Sequence, residues 1–169
     1  NPKPSDIEPL LSLSLVGFNN RNYDNHMIYG AYMGYTVEQL FQLSQRIIAN
    51  SPNAKFSEAY NLSHTDIYDF AAEKKSLKKW EIELGIKHLE NQYAWDEPLP
   101  KDKWDEVADY CCNDVDATEA VFEHLISDYK ARCILAKIAG GTPNDTTNQL
   151  SLKFVFGNVS ITVPSTSIT

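Results

Sequence analysis

Cysteine is scarce in this sequence, with three in 169 residues at Cys111, Cys112 and Cys133. An odd count with no C-x-x-C spacing signals neither a disulfide framework nor a zinc ribbon. Basic residues are also in deficit: 15 Lys and Arg face 23 Asp and Glu, for a formal charge of −8. That balance argues against a protein that wraps nucleic acid with a broad basic face. It leaves room for an enzyme that acts on nucleic acid through a carboxylate-held metal. Seven glycines and eight prolines are too few for a fibrous or low-complexity chain. No apolar run approaches the ~20 residues that cross a bilayer, and Asn1-Pro2-Lys3-Pro4-Ser5-Asp6 lacks a signal-like basic-then-apolar pattern. What is present is 43% hydrophobic and 22% charged residues, over the length of one ordinary domain. Three glycosylation tripeptides, beginning at Asn61, Asn144 and Asn158, are short enough to arise by chance, so the expected compartment is the cytoplasm.

Along the chain, a short helix is expected around Asp6–Leu13, then a buried strand at Leu15-Val16-Gly17-Phe18 closed by Asn19-Asn20. Helical spacing follows from Tyr23 to Met33, where Gly34 stops it. Thr36 and Gln39 have the form of a capping box, and Val37, Leu40, Phe41, Leu43, Ile47 and Ile48 continue at the 3.6 period. Thr65–Phe70 reads as a second strand, and Ser76–Leu84 as a helix ended by Gly85. Asn91 to Lys101 is a loop; a long helix runs from about Asp102 to Tyr129, with a break near Cys111–Asp114; Lys130–Ile138 forms another. In the tail, Leu152, Phe154 and Phe156 alternate, as do Val159, Ile161 and Val163, with Gly157-Asn158 between them, which is the pattern of a β-hairpin. The last six residues are expected to fray.

Two constellations carry possible chemistry. Asn20-Arg21-Asn22-Tyr23-Asp24 lies just past a strand tip, where Asp24 either holds a hard cation or caps the following helix. Tyr110 and Asp114 lie four apart, one turn along a helix face. They form either a phenol–carboxylate pair able to hold a water, or an ordinary solvated face. Asp116 falls on a different side of that helix and reads as structural. Cys111 and Cys112 read as buried packing residues beside the site.

In order, these motifs resemble the second and third motifs of the proofreading 3′–5′ exonuclease domain of bacteriophage-type family A DNA polymerases. Asn20, Tyr23 and Asp24 match N-x-x-[FY]-D, and Tyr110 with Asp114 match Y-x-x-x-D. Ser76-Leu77-Lys78 and Leu84-Gly85-Ile86 resemble the helix before the third motif, and Pro143–Asn148 with Phe154–Gly157 resembles the junction to a polymerase domain. The resemblance implies a DEDD nuclease of the tyrosine subclass on an RNase H-like α/β fold, with helices around a mixed sheet and a C-terminal β-hairpin. It implies an exonuclease-like domain over residues 1–140 and a linker, hairpin and tail over 141–169. Two magnesium or manganese ions would be held by Asp24 and Asp114, Tyr110 would orient the attacking water, and Asn20 would position the terminal nucleotide of single-stranded DNA.

The family's first motif, D-x-E on an opening strand, has no counterpart in a suitable setting. Asp6-Ile7-Glu8 has the letters, but Pro9 follows and no apolar strand surrounds it. The expectation is therefore a sheet truncated at its amino end, with the hairpin, a second copy, other polymerase segments or another chain covering its edge. Two functions remain open on the sequence: a 3′–5′ exonuclease domain, or a catalytically incomplete module of that kind that binds DNA or a polymerase partner. No membrane is implied, and a phage-encoded chain would work in the host cytoplasm.

Overall fold

The structure, a computed structural model, describes residues 3–157 apart from 63, 91, 95 and 96. Two three-residue strands, β1 (Leu15–Gly17) and β2 (His64–Asp66), form the whole sheet among the described residues. They run parallel, with Leu15 opposite His64 and Gly17 opposite Asp66. Around them lie α1 (Pro4–Leu11), α2 (Asp24–Tyr32), α3 (Val37–Ile48), α4 (Ile67–Phe70), α5 (Leu77–Leu84), α6 (Trp104–His124), α7 (Ile126–Ala139) and α8 (Thr147–Phe156). The expected RNase H-like fold with a mixed sheet is thus overturned: the chain is mostly helical around one parallel pair.

Local chemistry explains where strand gave way to helix. Thr65–Phe70 starts as a strand, but the Asp66 side chain accepts the Tyr68 amide and caps α4, turning the chain after three residues. The expected hairpin is also overturned over 151–156. Thr146 and Gln149 cap α8 reciprocally, and Leu150 is buried on Ala136 and Ala139 of α7. The alternation of Leu152, Phe154 and Phe156 is therefore carried on a helix that leaves all three largely exposed. Val159, Ile161 and Val163, the hairpin's other half, lie outside the described residues.

Other elements follow the sequence closely. Thr36 and Gln39 form the expected capping box of α3; Ser76 caps α5, and Gly85 ends it in the left-handed conformation at φ 66°. The break expected near Cys111–Asp114 is absent: α6 runs through it and ends at Leu125, after which α7 begins. No glycine or proline interrupts 104–124, and the joint falls where Leu125 is buried in the core. Asp6 and Glu8 lie on α1, where Asp6 accepts the Lys3 amide at 3.0 Å, a capping role.

One apolar cluster joins Ile67, Ala71, Trp80, Val121 and Leu125, packing α4, α5 and α6 together with Phe18, which follows β1. A second, around Leu43, Ile47 and Ala54, holds α3 against α2. Tyr23 belongs to this second cluster, with its hydroxyl 2.7 Å from that of Ser44. These two clusters fix the β1 tip and α6 on facing sides of a cleft. Among the described residues no helix is long and apolar enough to cross a membrane.

Candidate functional site

The cleft holds about 700 Å³ and is walled by β1, the start of α2, Leu77 of α5 and one face of α6. Asn20 and Asp24 from the β1–α2 segment and Asp114, Thr118 and Glu119 from α6 line it, together with the apolar Phe18, Ile28 and Phe122. Residues far apart in the sequence are thus brought to one opening. Tyr110 lies on α6 a turn before Asp114 and acts on its carboxylate, without itself lining the cleft. Asp6 and Glu8 do not line it either.

Asp24 is the first residue of α2, and the preceding cap position is Tyr23, so the expected capping by the Asp24 side chain does not occur. Its carboxyl is reached by water yet crowded by the concave wall. That desolvation raises its pKa above the usual carboxylate range, its own backbone amide counters, and Asp66 adds to the rise. Asp114 is raised as well, first by burial and then by Glu81, while Tyr110 and His88 favour its charged form. Tyr110 is itself raised, by burial and by Asp114, so its phenol stays protonated as a donor. Cys111 and Cys112 are exposed rather than buried, and Cys111 lines the cleft. Partial desolvation at the cleft wall, then Asp114 and Cys112, raise the Cys111 thiol, which leaves little thiolate to act as a nucleophile.

Asn20 is 4% exposed, and a chain of hydrogen bonds fixes its orientation. The Asn25 amide nitrogen donates to the Ala59 carbonyl at 3.4 Å, so the Asn25 oxygen faces Asn20 and accepts its amide nitrogen at 3.1 Å. The Asn20 side-chain oxygen is left buried without a partner in a residue that lines the cleft. An unpaired buried acceptor costs on the order of 1–3 kcal/mol, and a bound donor or cation would satisfy it.

Two further carboxylates, both buried, carry no motif in the sequence. Asp66 accepts two backbone amides of the turn that carries Asn20 and a third, from Tyr68, at the start of α4. Glu81 of α5, 1% exposed, bonds His88 Nδ1 at 2.6 Å and accepts the Asn113 amide at 3.3 Å, tying α5 to the residue before Asp114. An aspartate two residues before Tyr68 at a strand end is a local signal for the Asp66 cap; nothing local marks Glu81.

Magnesium is commonly held by one or two carboxylates, with water and substrate phosphate completing its shell. Asp24, Asp114 and the unpaired Asn20 oxygen are hard donors of that kind. Among the described residues no three His, Cys, Asp or Glu side chains group so as to hold a metal ion.

The raised carboxyls have a thermodynamic consequence. A carboxyl whose folded pKa exceeds its unfolded value contributes stability below the unfolded pKa and loses it as pH rises through the folded one. Asp24→Asn is therefore expected to melt slightly higher than wild type at pH 7, by on the order of 1 °C because the site is open to solvent. The difference should vanish below about pH 4, near the unfolded aspartate pKa. Millimolar magnesium or manganese should raise the wild-type midpoint and leave Asp24→Asn unmoved; calorimetry across pH with and without the ion measures both.

No protein-family model, curated protein or solved structure matches the chain.

Proposed function

We propose that this cleft hydrolyses the terminal phosphodiester at the 3′ end of single-stranded DNA with divalent metal, as the exonuclease domain of a phage-type DNA polymerase. The observation that carries the reading is the meeting of Asp24 and Asp114, from two separate motifs, on one cleft. The choice of DNA and of the 3′ end comes from the motif resemblance.

Magnesium or manganese, when bound, would polarise the scissile phosphate and lower the pKa of a water. Asp24 and Asp114 would hold the ion. Tyr110, a protonated donor beside Asp114, orients the water. The unpaired Asn20 oxygen accepts from the terminal nucleotide, and Phe18, Ile28, Leu77 and Phe122 take its base by apolar contact without reading its identity.

The absence of a three-ligand metal cluster among the described residues favours one second reading, a module of this kind that binds DNA or a polymerase partner without cutting. Digestion of a 5′-labelled single strand with magnesium, beside a chelator control, separates the two. A chelator-sensitive ladder shortening from the 3′ end supports hydrolysis. A retarded but uncut strand assigns binding alone, and neither retardation nor cutting overturns both.

A further inference from the structure

The turn that presents Asn20 and Asp24 is held in part by its own residues: the Asn22 side-chain amide donates to Asn19 Oδ1 at 2.8 Å and the Asn22 backbone amide to the Asn19 carbonyl at 3.1 Å. Asn19 sits in the left-handed region at φ 58°, a conformation that costs a non-glycine residue roughly 1–2 kcal/mol. The turn also folds closely back onto β1: a Cβ at Gly17 would lie 2.7 Å from that of Asn20. A second set of bonds comes from a distant part of the chain. Asp66, 4% exposed at the end of β2, accepts the Asn19 amide at 2.8 Å and the Tyr68 amide at 2.9 Å through Oδ1. Through Oδ2 it accepts the Arg21 amide at 3.1 Å. The Arg21 side chain then pairs with Asp69 at 2.7 Å and reaches the Asn144 carbonyl, closing the turn from outside.

We propose that Asp66 is a positioning residue for the cleft, holding the Asn19–Arg21 turn so that Asn20 and Asp24 face Asp114. Its part in activity rests on the hydrolytic reading; its hold on the turn does not. Asp66 does not line the cleft, so it acts through the turn and not on the ligand. Its two oxygens divide the work. Oδ1 serves the fold, by capping α4, as well as Asn19; Oδ2 serves only Arg21. Asp66→Asn keeps the first oxygen and sets an amide donor against the Arg21 N–H in place of the second.

The test measures kcat and KM on a labelled single strand with magnesium, and amide exchange over residues 18–24, for Asp66→Asn, Gly17→Ala and Asp69→Asn. Gly17→Ala displaces the same turn from its other side without touching Asp66. Asp66→Asn and Gly17→Ala are expected to lower kcat about 10–100-fold, the usual cost of losing an outer support of a metal site. KM should stay within about twofold, and faster exchange should be confined to 18–24. Asp69→Asn, which spares the amide bonds, should keep kcat within about threefold of wild type. A kcat for Asp66→Asn within about twofold of wild type overturns the proposal. So does loss of exchange protection spread through α4 and α6, which would mark Asp66 as general support for the fold. If the wild-type protein cuts nothing, the hydrolytic reading fails, while unchanged exchange over 18–24 in Asp66→Asn would separately overturn the hold on the turn.

Discussion

Asp114→Ala is expected to lower 3′-end shortening of single-stranded DNA by a thousandfold or more. The substitution removes one of the three carboxylates that line the cleft, the others being Asp24 and Glu119. Loss of metal-derived stabilisation of several kcal/mol in the transition state corresponds to about three orders of magnitude in rate. The loss should not come from unfolding. Burial and the neighbouring Glu81 already disfavour the Asp114 charge, so removing it relieves the folded state at neutral pH. Tyr110→Phe keeps the ring and deletes the donor, and a loss of about 10–100-fold is expected. Asp116→Ala, two residues along and exposed on another side of α6, should stay within about twofold. Initial rates with the labelled strand, beside melting curves for all three variants, test the set; equal losses at Asp114 and Asp116 would defeat the assignment.

How much of this is legible in the sequence depends on whether a signal is local. Thr36 with Gln39, and Ser76 with Gly85, declare their helix ends through groups three to nine residues apart, and the structure has both. The same Thr-x-x-Gln pattern recurs at Thr146 and Gln149, in competition with the strand-like alternation of Leu152, Phe154 and Phe156. The cap and the burial of Leu150 decide the outcome, because one buried leucine at helical spacing outweighs three side chains that remain in water. The two-stranded sheet is illegible for a different reason. Leu15–Gly17 and Thr65–Phe70 are each strand-like, but how far a sheet extends depends on which partners are present, and that is not a property of a six-residue window.

The candidate site divides in the same way. Asn20, Asp24 and Asp114 stand out because motif spacing puts them at a strand tip and on a helix face, and the structure brings all three to one cleft. Asp66 announces only its cap on Tyr68, and neither its hold on Asn19 and Arg21, 47 and 45 residues away, nor the bond of Glu81 to Asn113, 32 away, has a local mark. The expectation of a buried Cys111 rests on how commonly cysteine is buried, whereas α6 turns this one toward the opening.

Arg132→Met is expected to cost the fold about 3 kcal/mol or more, a larger loss of stability than any of the substitutions above. Arg132 is 7% exposed and spends its guanidinium on the loop between α7 and α8. Nε donates to the Pro143 carbonyl at 3.1 Å, Nη1 to the Thr147 hydroxyl at 3.0 Å, and Nη2 to the Asp145 carbonyl. Methionine preserves much of the stem but removes every donor, leaving two half-buried carbonyls without their charged partner. Hydrogen bonds from a charged group contribute about 1.5–3 kcal/mol each, and orphaned acceptors add their desolvation cost. For a domain of this size the midpoint should fall by roughly 6–12 °C. Lysine keeps the charge but lacks the planar fork that serves three acceptors at once, so Arg132→Lys should fall between the two. Lys130→Met, at an exposed neighbour, should stay within about 0.5 kcal/mol of wild type. The same loop offers the Asn144 carbonyl to Arg21, so loosening it also frees one side of the turn that carries Asn20 and Asp24. A midpoint within about 2 °C of wild type would show that the loop finds other donors and that Arg132 does not hold it.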